Sequence, residues 1–147
     1  MSEDVILLAG LPGCGKTTHL CRMCRDGWLV FDDFKANAFD DSSAFCKSRK
    51  FRTLISALHD GLKCAVADID FCKTKSRAEA ERVLRAEVPG VKLGWLFFAN
   101  DCPACEANIR RRDRPSRQTD LEKLHEYSAF YGIPQGADVL RIGEITG

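Results

Sequence analysis

The chain has 147 residues, 45% of them hydrophobic and 29% charged, with a formal net charge of +1 at pH 7. That length suits one domain with its own core, and the near-neutral balance excludes a global pull toward nucleic acid or membrane, so any basic site must be local. No apolar run approaches the roughly 20 residues that cross a bilayer, and the acidic start Met1-Ser2-Glu3-Asp4 is unlike a signal peptide, so a cytoplasmic location is expected.

The first predicted element is the apolar strand Val5-Ile6-Leu7-Leu8-Ala9. It runs directly into Gly10-Leu11-Pro12-Gly13-Cys14-Gly15-Lys16-Thr17-Thr18, which fits G-x-x-x-x-G-K-[ST], and a helix follows over about 17–26. A strand, a glycine-rich loop and a helix in that order make a phosphate-binding P-loop. Glycines let successive backbone N–H groups converge on an anion, and the helix N-terminus adds its dipole. Lys16 is expected on the β- and γ-phosphates of a nucleoside triphosphate, and the Thr17 hydroxyl on Mg²⁺. Leu20, Met23 and Cys24 form the inward face of this helix. A Cys14 side chain exposed in the anion nest would gain thiolate character.

Strand two is Trp28-Leu29-Val30-Phe31, ending at Asp32-Asp33. A loop through Asn37, Asp40 and Asp41 leads to Ser42 as an N-cap, and helix two runs from there to about Leu62, with Leu54, Ile55, Leu58 and Leu62 inward. Lys47-Ser48-Arg49-Lys50 reads as a solvated face of that helix. Strand three, Lys63–Asp68, is apolar on both faces. Helix three (about 76–88) packs through Ala80, Val83, Leu84 and Val88 and stops at Pro89-Gly90. Strand four is Val91–Ala99. Helix four begins near Asp101 with Pro103 in its first turn and ends in Arg110-Arg111-Arg112. Helix five covers about 118–131, with Leu121, Leu124 and Tyr131 inward, and Val139–Ile142 is a short fifth strand. Continuous apolar strands alternating with amphipathic helices predict a parallel sheet covered on both faces, with ligands beyond the carboxyl ends of the strands.

Eight cysteines are many for this length. Cys21/Cys24 and Cys102/Cys105 have C-x-x-C spacing, yet both pairs fall on predicted helices and read as packing thiols rather than metal ligands. His19, His59 and His125 share no spacing that suggests catalysis.

The acids and arginines after the strands carry the remaining chemistry. Asp32-Asp33 offers a carboxylate to accept the proton of an attacking hydroxyl. Asp68 and Asp70 after strand three offer a second carboxylate for the Mg²⁺ shell, with Asp68 the better placed. Arg110, Arg111, Arg112, Arg114 and Arg117 form the basic cluster. A mobile segment there would lay guanidinium groups over the phosphates as a lid.

The P-loop at 10–18, Phe31-Asp32-Asp33-Phe34-Lys35, Ala67-Asp68 and the pair Arg110/Arg114 occur in the order seen in small P-loop kinases. The chain resembles most the kinase domains of phage polynucleotide 5′-kinases and related bacterial ATP-binding proteins. The resemblance implies an α/β three-layer sandwich, with a five-stranded parallel sheet of order 2-3-1-4-5. It implies Asp32 as general base, Asp33 and Lys35 as substrate contacts, with Lys35 on a substrate phosphate, and Arg110 and Arg114 as lid cations. The chain departs from the polynucleotide kinase pattern in having Lys35 and Phe31 where that pattern has arginines.

The expectation is thus one domain, 1–147, with a lid at about 101–117, using ATP and Mg²⁺ to phosphorylate an acceptor hydroxyl. The acceptor stays open between a small molecule, a nucleoside and a nucleic-acid 5′-end, and no protein partner is indicated. A nucleotide-binding regulatory or interaction module with little turnover is the alternative. A GTPase switch ranks below both, since no Asn-Lys-x-Asp guanine-reading sequence is present.

Overall fold

Five parallel strands form the centre of the molecule in a computed structural model that describes residues 3–35 and 45–143. They are β1 (Val5–Ala9), β2 (Leu29–Phe31), β3 (Cys64–Ala67), β4 (Leu93–Phe98) and β5 (Val139–Leu140), in the order β2-β3-β1-β4-β5. β1 is central: Val5 to Leu8 pair with Cys64 to Ala67 of β3, and Val5 to Ala9 pair with Leu93 to Phe97 of β4. This is why β1 and β3 lack polar alternation. Each lies between two strands with both faces covered, and all four residues of β3 are buried.

The helices are α1 (Lys16–Arg25), α2 (Phe51–His59), α3 (Thr74–Glu87), α4 (Cys102–Arg111) and α5 (Arg117–Ser128). The described residues contain no helix long and apolar enough to cross a membrane. Leu20 and Met23 of α1 are buried as expected, whereas Cys24 is exposed, as is Cys21. Asp101 caps α4 by accepting from the Ala104 N–H at 3.2 Å.

The second helix departs from expectation. The proposed cap Ser42 lies outside the described residues. A 3-10 turn at Phe45–Lys47 precedes α2, which starts only at Phe51 and ends at His59, before Gly61 with φ 79°. Phe45 explains the turn: it is fully buried and stacks on Phe34, with ring centroids 4.6 Å apart. The run 47–50 is correspondingly no solvated helix face. Ser48 is buried and donates its hydroxyl to the Phe34 carbonyl, and the Lys50 ammonium donates to the Asp32 carbonyl. The segment before α2 thus holds the loop after β2 from below.

Two further ties fix the strand ends. The Tyr131 hydroxyl, buried between strands, reaches the carbonyls of Ala9 (3.1 Å) and Phe98 (2.6 Å). Arg77 of α3, also buried, donates to the carbonyls of Phe71 and Gly132, both at 2.8 Å, and lies over the Phe97 ring. A buried guanidinium is tolerable only when its donors are taken up in this way.

Candidate active site

An open cleft of about 630 Å³ lies at the carboxyl ends of β1, β2 and β3. Its wall includes the loop from Leu11 through Thr18, together with Asp32, Asp33, Lys35, Asp68, Asp70, Arg112, Arg114 and Tyr127. The loop's glycines are required by contact as well as by rotation. A Cβ at Gly13, where φ is 81°, would stand 2.5 Å from the Cys105 carbonyl oxygen, and one at Gly10 would stand 2.9 Å from Cβ of Phe98. The Asn108 amide of α4 donates to the Gly13 carbonyl at 2.9 Å and to Gly143 at 2.8 Å, pinning the loop from outside. No side chain caps the first turn of α1, so its leading N–H groups have no partner within the helix and remain for an anion.

Lys16 is folded back onto its own loop, where its ammonium donates to the carbonyls of Gly10 and, at 3.1 Å, Leu11. Cys14 turns inward, 2% exposed, with its sulfur 3.6 Å from the Lys16 ammonium. The expectation of an exposed, reactive Cys14 thiol therefore does not match this loop, because the side chain packs into the core while the backbone faces the cleft. Cys72 and Cys105 are also buried here, and burial pushes both thiols up to about 12.

Asp32 joins the P-loop directly. The Thr17 hydroxyl donates to its Oδ2 at 2.7 Å, and the Asp33 N–H donates to its Oδ1 at 2.9 Å. With its hydrogen given to Asp32, the Thr17 oxygen has lone pairs free for a hard cation. Asp33 has φ 46°, the only positive value for a non-glycine among the described residues. This local cost of about 1 kcal/mol turns the chain at the cleft wall and leaves the Asp33 side chain exposed.

Asp68, expected in the Mg²⁺ shell, is engaged here by backbone N–H groups. It is 4% exposed, and its carboxylate accepts the N–H groups of Lys35 at 2.6 Å and Asp70 at 2.8 Å. Burial raises its pKa, opposed by those two hydrogen bonds. Its described contacts make it a brace between the loops after β2 and β3. Through that brace the Lys35 ammonium meets Asp70 at 2.9 Å, and the Tyr127 hydroxyl approaches the same carboxylate at 3.5 Å. Burial works upward on Asp70, but the bond and charge of Lys35, with Lys73 behind it, hold its pKa below the ordinary value. For Tyr127, burial and the neighbouring Asp70 push the phenol up to about 12.

The basic cluster is arranged differently from the expected pair. α4 ends at Arg111, so Arg110 and Arg114 share no helical face. Arg110 points along α4 to Glu106 at 3.2 Å, and His125 meets the same carboxylate at 3.3 Å. Arg112 and Arg114 line the cleft instead. Arg112 is half-buried, its Nε is buried without a partner, and desolvation together with the Arg114 charge lowers its pKa. Arg117 donates to the carbonyls of Arg110 and Arg112 and so closes the end of α4. Sequence spacing missed Arg112 because it lies one residue past a helix end that periodicity does not resolve.

Neither C-x-x-C pair belongs to a group of ligands: among the described residues no three His, Cys, Asp or Glu side chains are grouped to hold a metal ion.

No protein-family model and no curated protein matches the chain. Solved structures do. A fungal RNA kinase aligns over 96% of this chain and 75% of its own, with a TM-score of 0.56 at 12% identity. The protein APE1195 aligns over 96% of this chain and 85% of its own, with a TM-score of 0.51 at 19% identity. A gluconokinase from Sinorhizobium meliloti 1021 covers 97% of this chain and 84% of its own at a TM-score of 0.49 and 16% identity. With its strand order, its P-loop after β1 and its cleft at the strand ends, this chain has the fold of the small P-loop kinases.

Proposed function

We propose that the protein is a kinase that moves the γ-phosphoryl of ATP to an acceptor hydroxyl. The observation that carries this reading is the 2.7 Å bond between Thr17 and Asp32, in a cleft that also holds the P-loop and two arginines. It sets a carboxylate beside the position a γ-phosphate takes when a P-loop grips a triphosphate. The free N–H groups of 10–18 cradle the phosphates, and Lys16 leaves the Gly10 and Leu11 carbonyls for the β- and γ-oxygens. The hard-oxygen donor set of Thr17, with Asp32 behind it, would hold Mg²⁺, which would supply charge neutralisation for the phosphates.

In the reaction the acceptor oxygen attacks the γ-phosphorus, its proton passes to Asp32, and the bond to the bridging oxygen breaks to release ADP. Segment 101–117 serves as the lid, with Arg112 and Arg114 neutralising charge on the equatorial oxygens. Asp33 and Lys35 face the acceptor. The fold shared with the fungal RNA kinase supports the reading.

The test separates chemistry from nucleotide binding. Asp32→Asn is expected to lower turnover by roughly 10²-fold or more with ATP affinity little changed. An effect confined to Asp33→Asn would move the base by one residue. Full turnover in both variants would remove the base assignment. ATP binding without transfer in the wild type would favour the regulatory module.

A further inference from the structure

α4 and α5 pack against each other, and one face of that pair brings together three side chains that line no part of the cleft. Cys102 and Glu106 are four residues apart on α4, so the helix turn sets them on one face. His125 of α5 stands between them. Its Nδ1 lies 3.9 Å from the Cys102 sulfur, and its Nε2 lies 3.3 Å from Oε1 of Glu106.

The order thiol, imidazole, carboxylate has a chemical consequence. With the Nε2–H donated to Glu106, Nδ1 carries the lone pair that takes the thiol proton, and the imidazolium so formed stays beside the thiolate. The other oxygen of Glu106 accepts from Arg110 at 3.2 Å, which keeps the carboxylate turned to this face. Cys102 is also the first residue of α4, at the positive end of the helix dipole. Asp101 is the adjacent opposing charge, and its carboxylate is engaged as the cap by the Ala104 N–H. The other cysteines lack this setting. Cys14, Cys64, Cys72 and Cys105 are buried, Cys21, Cys24 and Cys46 are exposed, and among the described residues it is Cys102 that meets an imidazole.

We infer that Cys102 is a modification site: a thiol activated by His125 that exchanges with low-molecular-weight disulfides. The inference does not rest on the kinase reading. In the exchange the Cys102 sulfur attacks one sulfur of the disulfide as its proton passes to His125. A new S–S bond forms at Cys102, the old S–S bond breaks, and the departing thiolate takes up the proton held by His125. The released half is reduced to a thiol, and Cys102 ends oxidised in a mixed disulfide.

The test treats the folded protein with dithiodipyridine at less than one equivalent, follows the released thiopyridone by absorbance and identifies the labelled cysteine by peptide mass spectrometry. Accessibility alone would favour Cys21, Cys24 and Cys46, which are more exposed than Cys102. Cys102 should instead take the label first, about fivefold or more faster than they do. His125→Asn should remove that advantage, with urea unfolding beside it to show that the variant is folded. Glu106→Ala should slow Cys102 about twofold or more, and Glu106→Gln, whose side-chain oxygen still accepts the Nε2–H, should recover most of the rate. Wild-type labelling led by Cys21, Cys24 or Cys46, or an unchanged Cys102 rate in folded His125→Asn, would overturn the inference. A Glu106→Gln variant as slow as Glu106→Ala would overturn the orienting role of Glu106.

Discussion

Arg110 and Arg112 are two positions apart and do different work. A step of two residues on a helix turns a side chain by about 200°, and here the helix also ends between them. Arg110 therefore stays on the outer face with Glu106, while Arg112 enters the cleft with a buried, unpartnered Nε. A donor left unpaired in a half-buried guanidinium is costly unless a ligand completes it, and triphosphate oxygens would do so. Arg112→Ala is accordingly expected to reduce kcat about 10²-fold, the usual cost of removing one donor to developing charge. Arg110→Ala should stay within about twofold, since exposed ion pairs contribute little. Steady-state kinetics of the two variants with one acceptor checks this, and the reverse ranking would return the lid role to Arg110. At this scale the P-loop was legible to the residue, because its chemistry demands residue types at fixed spacing. Arg112, Asp68 and Tyr127 were not, because what each touches depends on helix ends and loop paths.

The elements that carry the site are held by polar groups drawn from distant parts of the chain. Asp68 ties the loop after β2 to the one after β3, and Lys35–Asp70 closes the same junction. The two carboxylates act oppositely on stability. For Asp70, whose folded pKa lies below the unfolded value, the contribution is present above the unfolded pKa of about 3.9 and is lost as the pH falls through the folded value. For Asp68, whose folded pKa is raised, ionisation costs stability above the unfolded value, and that cost is relieved as the pH falls. Urea unfolding across this range should show Asp70→Asn less stable than wild type near neutrality, with the difference shrinking below about pH 3.9. A constant difference would mean that the residue contributes only packing. Among the described residues, sequence periodicity located each of the five α-helices but neither 3-10 helix, and it misplaced the start of α2. The aromatic burial of Phe45 against Phe34 pulls the chain into a 3-10 turn that no hydrophobic period encodes.

Across the molecule, polarity follows strand order. The sheet order β2-β3-β1-β4-β5 sets the P-loop in the middle, the acids of β2 and β3 to one side and the arginines after α4 to the other. The near-zero net charge of the whole chain conceals this local grouping. The order was legible only by resemblance, since apolar strands alternating with helices fix parallel pairing and leave the sequence of neighbours open. The proposed nucleotide site rests on the P-loop and Lys16. Calorimetric titration of wild type and Lys16→Ala with Mg-ATP, alongside urea unfolding of both, separates that role from packing. Among the described residues the oxygen acceptors of Lys16 are carbonyls of its own loop, so the variant should unfold close to the wild type while losing ATP affinity about 10²-fold or more. Wild-type affinity in a folded Lys16→Ala protein would contradict the nucleotide site and the kinase built on it.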